Sequence, residues 1–254
     1  MPHFCRIIPQ TPDYRYGGNA MKLLVISGGR HPYAESTPVL EGFLKGSGHD
    51  VTVTEDASVL ANATRMNGYD ALVFNTRREN IPDFGDWALA PNEREGMKQY
   101  IRSGKGFVCI HISTCLSSAW PEYHDITGGG WITGTSFHPP YGQFTVNVSS
   151  PKHPGVRGVA DFGTSDELYM GLAHRDGNEV FITGTAPAGT HPWGADRQPK
   201  SMPGGTFPLG WTRAYGQGKV FVLLLGHDGR SFQTPEFQRI VLNGVAWATG
   251  TALD

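Results

Sequence analysis

Short apolar runs, each closed by glycine or small polar residues, alternate along the chain with segments whose apolar residues recur at helical spacing. Residues 22–27 (KLLVIS) read as a buried strand running straight into Gly28-Gly29-Arg30-His31-Pro32, the pattern of a first strand-to-helix loop in a wound sheet. Residues 37–45 place Val39, Leu40, Phe43 and Leu44 on one helical face, and Gly46 and Gly48 stop that helix. A second strand is expected over 51–54 (VTVT), a weak helix over 56–66 and a third strand over 70–75 (DALVFN). Residues 80–90 read as a loop, and Pro91 opens a helix that runs towards Gly104. The run Phe107-Val108-Cys109-Ile110 lies between Gly106 and His111-Ile112-Ser113-Thr114, so it reads as a buried parallel strand that carries His111 at its carboxyl end. Right-handed crossovers through these elements give a parallel sheet with helices on both faces.

The pattern loosens after His111. Residues 143–148 (QFTVNV) alternate as a strand, 162–169 begin another with Asp166 and Glu167 at its mouth, and 179–183 form a third. Residues 185–206 are rich in glycine and proline and predict an ordered surface loop. Residues 208–214 and 219–225 read as a hairpin about Tyr215-Gly216-Gln217-Gly218, the second arm ending at Gly226-His227. Residues 235–248 form a closing amphipathic helix, with Gly250 just past its end. Neither a repeat nor a linker interrupts this order. The expectation is one α/β domain over 21–252, preceded by an irregular extension at residues 1–20.

Composition narrows the function classes. Net charge is −2, from 21 basic and 23 acidic residues without a basic run, which argues against nucleic acid as a partner. No apolar run is long enough to span a bilayer, so no membrane role is expected. The first twenty residues lack the layout of a signal peptide, and Cys5, Cys109 and Cys115 have no disulfide or metal spacing. Together these predict a reducing, cytoplasmic setting.

The candidate chemistry is histidine chemistry. Of ten histidines, His31 and His111 stand at carboxyl ends of parallel strands, where open α/β sheets bind ligands. His227 follows a buried strand directly, and His138 punctuates a Pro-rich turn. Glu167 or Asp166 could add a carboxylate, although Asp166 also suits a turn cap. His31, His111, His138, His227 and Glu167 are therefore the expected catalytic set. Trp120, Trp131, Tyr169 and Trp211 offer aromatic walls and Gly29, Asn75 and Thr114 lie at strand ends; of these, Gly29, Asn75, Thr114, Trp120, Tyr169 and Trp211 are expected to contact substrate. No local ligand pair of the H-E-x-x-H or H-x-H kind exists, so no metal ligand is assigned; scattered histidines with a carboxylate would still suit a divalent metal such as Zn. Cys109 and Cys115 read as buried and inert, and no G-x-S-x-G elbow is present.

Taken in order, Gly28-Gly29-Arg30-His31, Gly106 to His111, Gly128-Gly129-Gly130-Trp131, His138-Pro139, His153-Pro154, Asp166-Glu167-Leu168-Tyr169, Pro208-Leu209-Gly210-Trp211 and Leu225-Gly226-His227 resemble the ThuA (trehalose utilisation) family over about residues 21–250. The resemblance implies a class I glutamine amidotransferase-like fold, a flavodoxin-like three-layer α/β/α sandwich with a mostly parallel sheet. Amidotransferases of that fold carry a cysteine nucleophile after the strand that matches Phe107 to Ile110, and here the tip position holds His111. The resemblance therefore implies loss of thioester chemistry. It also implies a place in bacterial carbohydrate metabolism, on trehalose-type disaccharides or keto-sugars, beside sugar dehydrogenases. The 185–206 segment departs from the family pattern and would reshape the pocket.

Three readings follow. The first is an enzyme of hydrolase or isomerase type that acts on a small-molecule sugar by His-based acid/base chemistry. The second is a non-catalytic sugar-binding or regulatory module, because fold does not fix function. The third is a metal-dependent hydrolase or isomerase on the same scaffold. An aromatic patch on the 185–206 segment could also pair subunits into a homo-oligomer.

Overall fold

A computed structural model describes residues 20–81, 83–115 and 120–251. The expected extension at residues 1–20, apart from Ala20, and Cys5 with it, lie outside the described residues. The main sheet has nine strands, labelled here in chain order: β1 Lys22–Gly28, β2 Asp50–Thr54, β3 Ala71–Thr76, β4 Gly106–Ile110, β5 Gly142–Val148, β6 Phe162–Asp166, β7 Glu179–Ala186, β8 Gly205–Tyr215 and β9 Gly218–Leu223. Their spatial order is β2-β1-β3-β4-β9-β8-β7-β5-β6. The pairings from β2 through β9 are parallel, and those from β9 to β6 are antiparallel.

Every residue of β3 and β4 is buried, and only Lys22 of β1 is exposed. That is why these strands read as unbroken apolar runs rather than as alternating ones. The helices are α1 Tyr33–Gly46, α2 Ala63–Asn67, α3 Pro91–Arg102, α4 Tyr123–Thr127, α5 Gly229–Gln233 and α6 Pro235–Thr249. The chain moves from β1 outward to β2, then back across β1 to β3 and β4, so right-handed crossovers place helices on opposite faces. Helices α1, α5 and α6 pack together, while α3 packs with the turn of 3₁₀ helix Ala57–Ala61. This is the α/β sandwich expected from the sequence. Among the described residues no helix is long and apolar enough to cross a membrane.

Several elements differ from expectation. Residues 80–90, expected as a loop, carry a short hairpin of Asn80–Ile81 with Gly85–Asp86. The helix expected over 56–66 is split into the 3₁₀ turn Ala57–Ala61 and α2. Helix α1 starts at Tyr33, four residues before the expected 37, because the Pro32 carbonyl accepts from the Glu35 and Ser36 amides. Residues 185–206 are not a loop. Strands β7 and β8 stay paired out to Ala186 and Gly205, and a second hairpin (Gly189–Trp193 with Gln198–Met202) projects beyond them.

The antiparallel half shapes the site. From β9 to β6 the strand direction reverses four times, so β6 ends on the same edge as β1, β4 and β9. Four strand spacings would hold β6 about 19 Å from β9 in a flat sheet. Yet Asp166, the last residue of β6, accepts the Gly226 amide at 2.7 Å. The outer strands and the loop leaving β9 fold towards each other over the carboxyl edge, and the space they enclose is the site.

Candidate functional site

Three parallel strands deliver imidazoles to this edge. His31 lies three residues past β1, His111 immediately follows β4, and His227 lies four residues past β9. Gly29 has φ +98°, and a Cβ there would stand 2.3 Å from the Arg77 carbonyl oxygen, so only glycine lets the first loop pass under the third. His111 has φ +53°, a conformation that a residue with a Cβ adopts at a cost. It occupies the sharp turn after the central strand, and its ring is buried at 1% exposure.

Backbone carbonyls fix the tautomers. His111 Nδ1 donates to the Leu224 carbonyl at 2.7 Å, His31 Nδ1 to the Arg30 carbonyl at 2.9 Å and His138 Nδ1 to the Pro139 carbonyl at 2.7 Å. A carbonyl can only accept, so in each neutral ring the hydrogen sits on Nδ1 and Nε2 is bare. All three bare nitrogens point into one small space. His111 Nε2 lies 3.4 Å from Glu167 Oε2, and His138 Nε2 lies 3.3 Å from Oε1. His31 Nε2 lies 3.1 Å from His227 Nδ1, which is itself 3.1 Å from Glu167 Oε2. Tyr169 donates its hydroxyl to His111 Nε2 at 2.6 Å, its ring stacked on the imidazole. Ligand atoms from His31, His111, Glu167 and His227 all fall within 4.8 Å of one another.

Charge follows this geometry. Burial pushes the His31 imidazole down to about 3, with repulsion from His111 and His227 adding to it. Burial also lowers His138, which Glu167 partly offsets. Burial opposes charge on Glu167 too, but hydrogen bonds with His111 and His227 outweigh it and hold the carboxyl well below its usual range. His227 moves upward, because the hydrogen bond and charge of Glu167 outweigh burial. His227 and His31 are thus shifted in opposite directions within one cluster.

Asp166 is the clamp beneath Glu167. It is fully buried, accepts from the Glu167, Gly226 and His227 amides at 2.8, 2.7 and 3.2 Å, and so ties the end of β6 to the loop after β9. Of the two acidic residues at that strand end, Glu167 faces the imidazoles and Asp166 caps the turn.

The residues expected to contact substrate divide. Tyr169 is in the cluster, and Gly29 shapes its floor. Thr114 is buried, donating to the His111 carbonyl and accepting the Trp131 amide, so it braces the elbow. Asn75 donates its side-chain amide to Ser36 and Thr37 and ties β3 to α1. Trp211 is fully buried, with its indole N–H donated to the Thr127 carbonyl, and Trp120 packs on Tyr123 and Arg94. These two rings are core walls and present no free face. Cys109 and Cys115 are buried, and burial pushes both thiols up to about 12, the reverse of an activated nucleophile.

Three further aromatic rings border the cluster. Trp131 lies 4.6 Å from the Tyr169 ring, Trp193 4.8 Å from His138, and Tyr141 5.2 Å from His227. Tyr141 also donates to the Ser165 carbonyl. Trp193 comes from the projecting hairpin, and no local pattern announces that the hairpin turns towards the site.

Several known folds resemble this one. A ThuA-like protein from Parabacteroides merdae superposes with a TM-score of 0.70 at 21% identity, covering 93% of this chain and 92% of that one. A ThuA-like protein from Bacteroides uniformis gives 0.65 at 18% identity, with 90% and 91% coverage. A cytoplasmic protein from Salmonella typhimurium gives 0.58 at 16% identity, with 90% and 98% coverage. No curated protein matches the sequence. The family profile described as ThuA, trehalose utilisation, matches residues 22–248, and the chain belongs to the ThuA family.

Proposed function

We propose that this chain is a sugar-metabolising enzyme that holds a divalent transition metal on His31, His111, Glu167 and His227 and moves protons on a keto-sugar or trehalose-type disaccharide. The observation that carries the reading is the surplus of acceptors. Nε2 of His31, His111 and His138 and both oxygens of Glu167 converge, while Tyr169 Oη is a side-chain donor placed among them and His227 Nδ1, in the tautomer with its hydrogen on Nε2, presents a further lone pair. Such a set favours a cation. Four ligands at 2.0–2.2 Å from a tetrahedral ion lie about 3.4 Å apart, and three of the contacts here measure 3.1, 3.1 and 3.4 Å. The Nδ1–H to carbonyl bonds of His31 and His111 are the outer partners that orient metal-binding imidazoles.

When bound, such an ion polarises a carbonyl oxygen or lowers the pKa of a bound water. The side chains supply the rest. His138 lies outside the four ligands and is half-buried, so its bare Nε2 can take a proton from the carbon next to a substrate carbonyl. Its imidazolium can return that proton to the former carbonyl carbon while the proton of the adjacent hydroxyl passes to the former carbonyl oxygen, which balances an isomerisation without net proton change. Tyr169 orients His111, and Asp166 orients Glu167. The sugar assignment rests on the family, whose description is trehalose utilisation.

The 2.6 Å hydrogen bond from Tyr169 to His111 favours a second reading, acid/base catalysis without metal. Chelation separates the two. Under the first reading, stripping the enzyme with a chelator abolishes turnover of a keto-disaccharide, and zinc, cobalt or manganese restores it. Under the second, the stripped enzyme keeps its activity while His111→Ala loses about 10²–10⁴-fold. A stripped His111→Ala enzyme as active as wild type contradicts both.

A further inference from the structure

We infer that the inner face of the hairpin Gly189–Trp193/Gln198–Met202 is a second sugar subsite, with Trp193 as the platform for the non-reacting ring of a disaccharide. This inference rests on the sugar reading above and adds where the second ring sits. Side chains alternate along a strand, and directly paired residues point to the same face, so Gly189, His191 and Trp193 share a face with Met202, Lys200 and Gln198. Four contacts turn that face towards the site. Met202 is buried in the core at 1% exposure, and the Lys200 ammonium lies over the Phe137 ring at 4.5 Å. The Trp193 ring meets His138 edge-on at 4.8 Å, and His191 lines a cleft of about 230 Å³ with Pro139, Phe144, Asp166 and Leu168.

Trp193 is therefore one imidazole away from Glu167, since His138 Nε2 lies 3.3 Å from Glu167 Oε1. Trp131 stands 6.3 Å from Trp193 and 4.6 Å from Tyr169, which continues the aromatic wall to His111. Trp131 and Trp193 are half-buried and pack against the core. The chemistry of such a shelf is selective. An indole face takes the apolar C–H face of a pyranose and leaves the hydroxyl edge free to meet polar groups such as His191. A second ring seated on Trp193 makes a contact that a monosaccharide at Glu167 lacks, so the subsite discriminates disaccharide from monosaccharide.

The test compares wild type, Trp193→Ala, Trp193→Phe and His191→Ala by calorimetry and saturation-transfer NMR, with trehalose, maltose and cellobiose as disaccharide probes and glucose as the single ring. Wild type is expected to bind at least one disaccharide more tightly than glucose. Trp193→Ala should weaken that disaccharide by about tenfold, the size of one aromatic contact. Trp193→Phe should recover most of the loss, and glucose binding and metal content should stay unchanged in all variants. Unchanged disaccharide affinity in Trp193→Ala overturns the subsite and leaves the metal-centred reading standing, as does an equal loss for disaccharide and glucose. A wild-type protein that binds none of these sugars overturns both.

Discussion

Glu167 owes its position to its neighbour: Asp166 gathers three backbone amides, and that leaves the Glu167 side chain facing four imidazoles. The same burial that organises these groups silences others. Cys109 and Cys115, with thiols pushed up to about 12, stay neutral at pH 8, so a Cys5→Ser variant should release no fast thiol signal with a disulfide reagent until it is unfolded. A rapid equivalent of thiol in that variant would refute the burial argument. Tyr33 makes the opposite kind of case, because its buried hydroxyl has no hydrogen-bond partner among the described residues. Removing an unpaired buried polar group relieves its desolvation cost of about 1–3 kcal/mol. Tyr33→Phe should therefore keep or raise the thermal midpoint, and a clear fall would show that the hydroxyl is satisfied in solution. The histidines and Glu167 were legible in the sequence because strand ends are, and a strand end in this fold is a place. Trp120 and Trp211 are buried in the core rather than set on an open wall, and residue type alone cannot tell a core ring from a binding surface.

At the scale of elements, α3 and its neighbour offer a sharp test. Gly96 lies within α3, where alanine would gain about 1 kcal/mol of helix propensity. A Cβ there would stand 2.0 Å from the Leu60 carbonyl oxygen of the 3₁₀ turn, so helix and turn must separate. Overpacking of this kind costs about 1–3 kcal/mol, and the clash should win: denaturant unfolding of Gly96→Ala should report a net loss of stability. A gain would mean that the turn yields freely. Helix α3 was readable from Pro91 and its apolar spacing, and β1, β3 and β4 from their continuous apolar runs. The hairpin beyond β7 and β8 was not. Pro192 pairs with Pro199 and glycine begins its first strand, so neither arm has the β-branched alternation that marks a strand. Its pairing is inherited from the register of β7 with β8, a long-range fact absent from any short window.

For the whole molecule, the order β2-β1-β3-β4-β9 places the reversal of winding next to β1, and the loops after β1, β4 and β9 all open on that edge. The sequence reached the parallel winding and the shared edge of His31 and His111, because right-handed crossovers leave few alternatives. What it could not reach was how β6 approaches, which depends on four antiparallel reversals and on the curl of the outer sheet, and with that approach come the seating of Glu167 among the imidazoles and the closure of the site. The central claim is that this closure builds a cation site, and metal content tests it most directly. Untagged protein, purified without chelators, is measured for zinc, manganese, cobalt, nickel and iron beside a Glu167→Gln variant of matched fold. The account predicts close to one equivalent of a divalent transition metal per wild-type chain and a clear loss in the variant. Traces only in wild type, even after incubation with excess zinc and desalting, would contradict it.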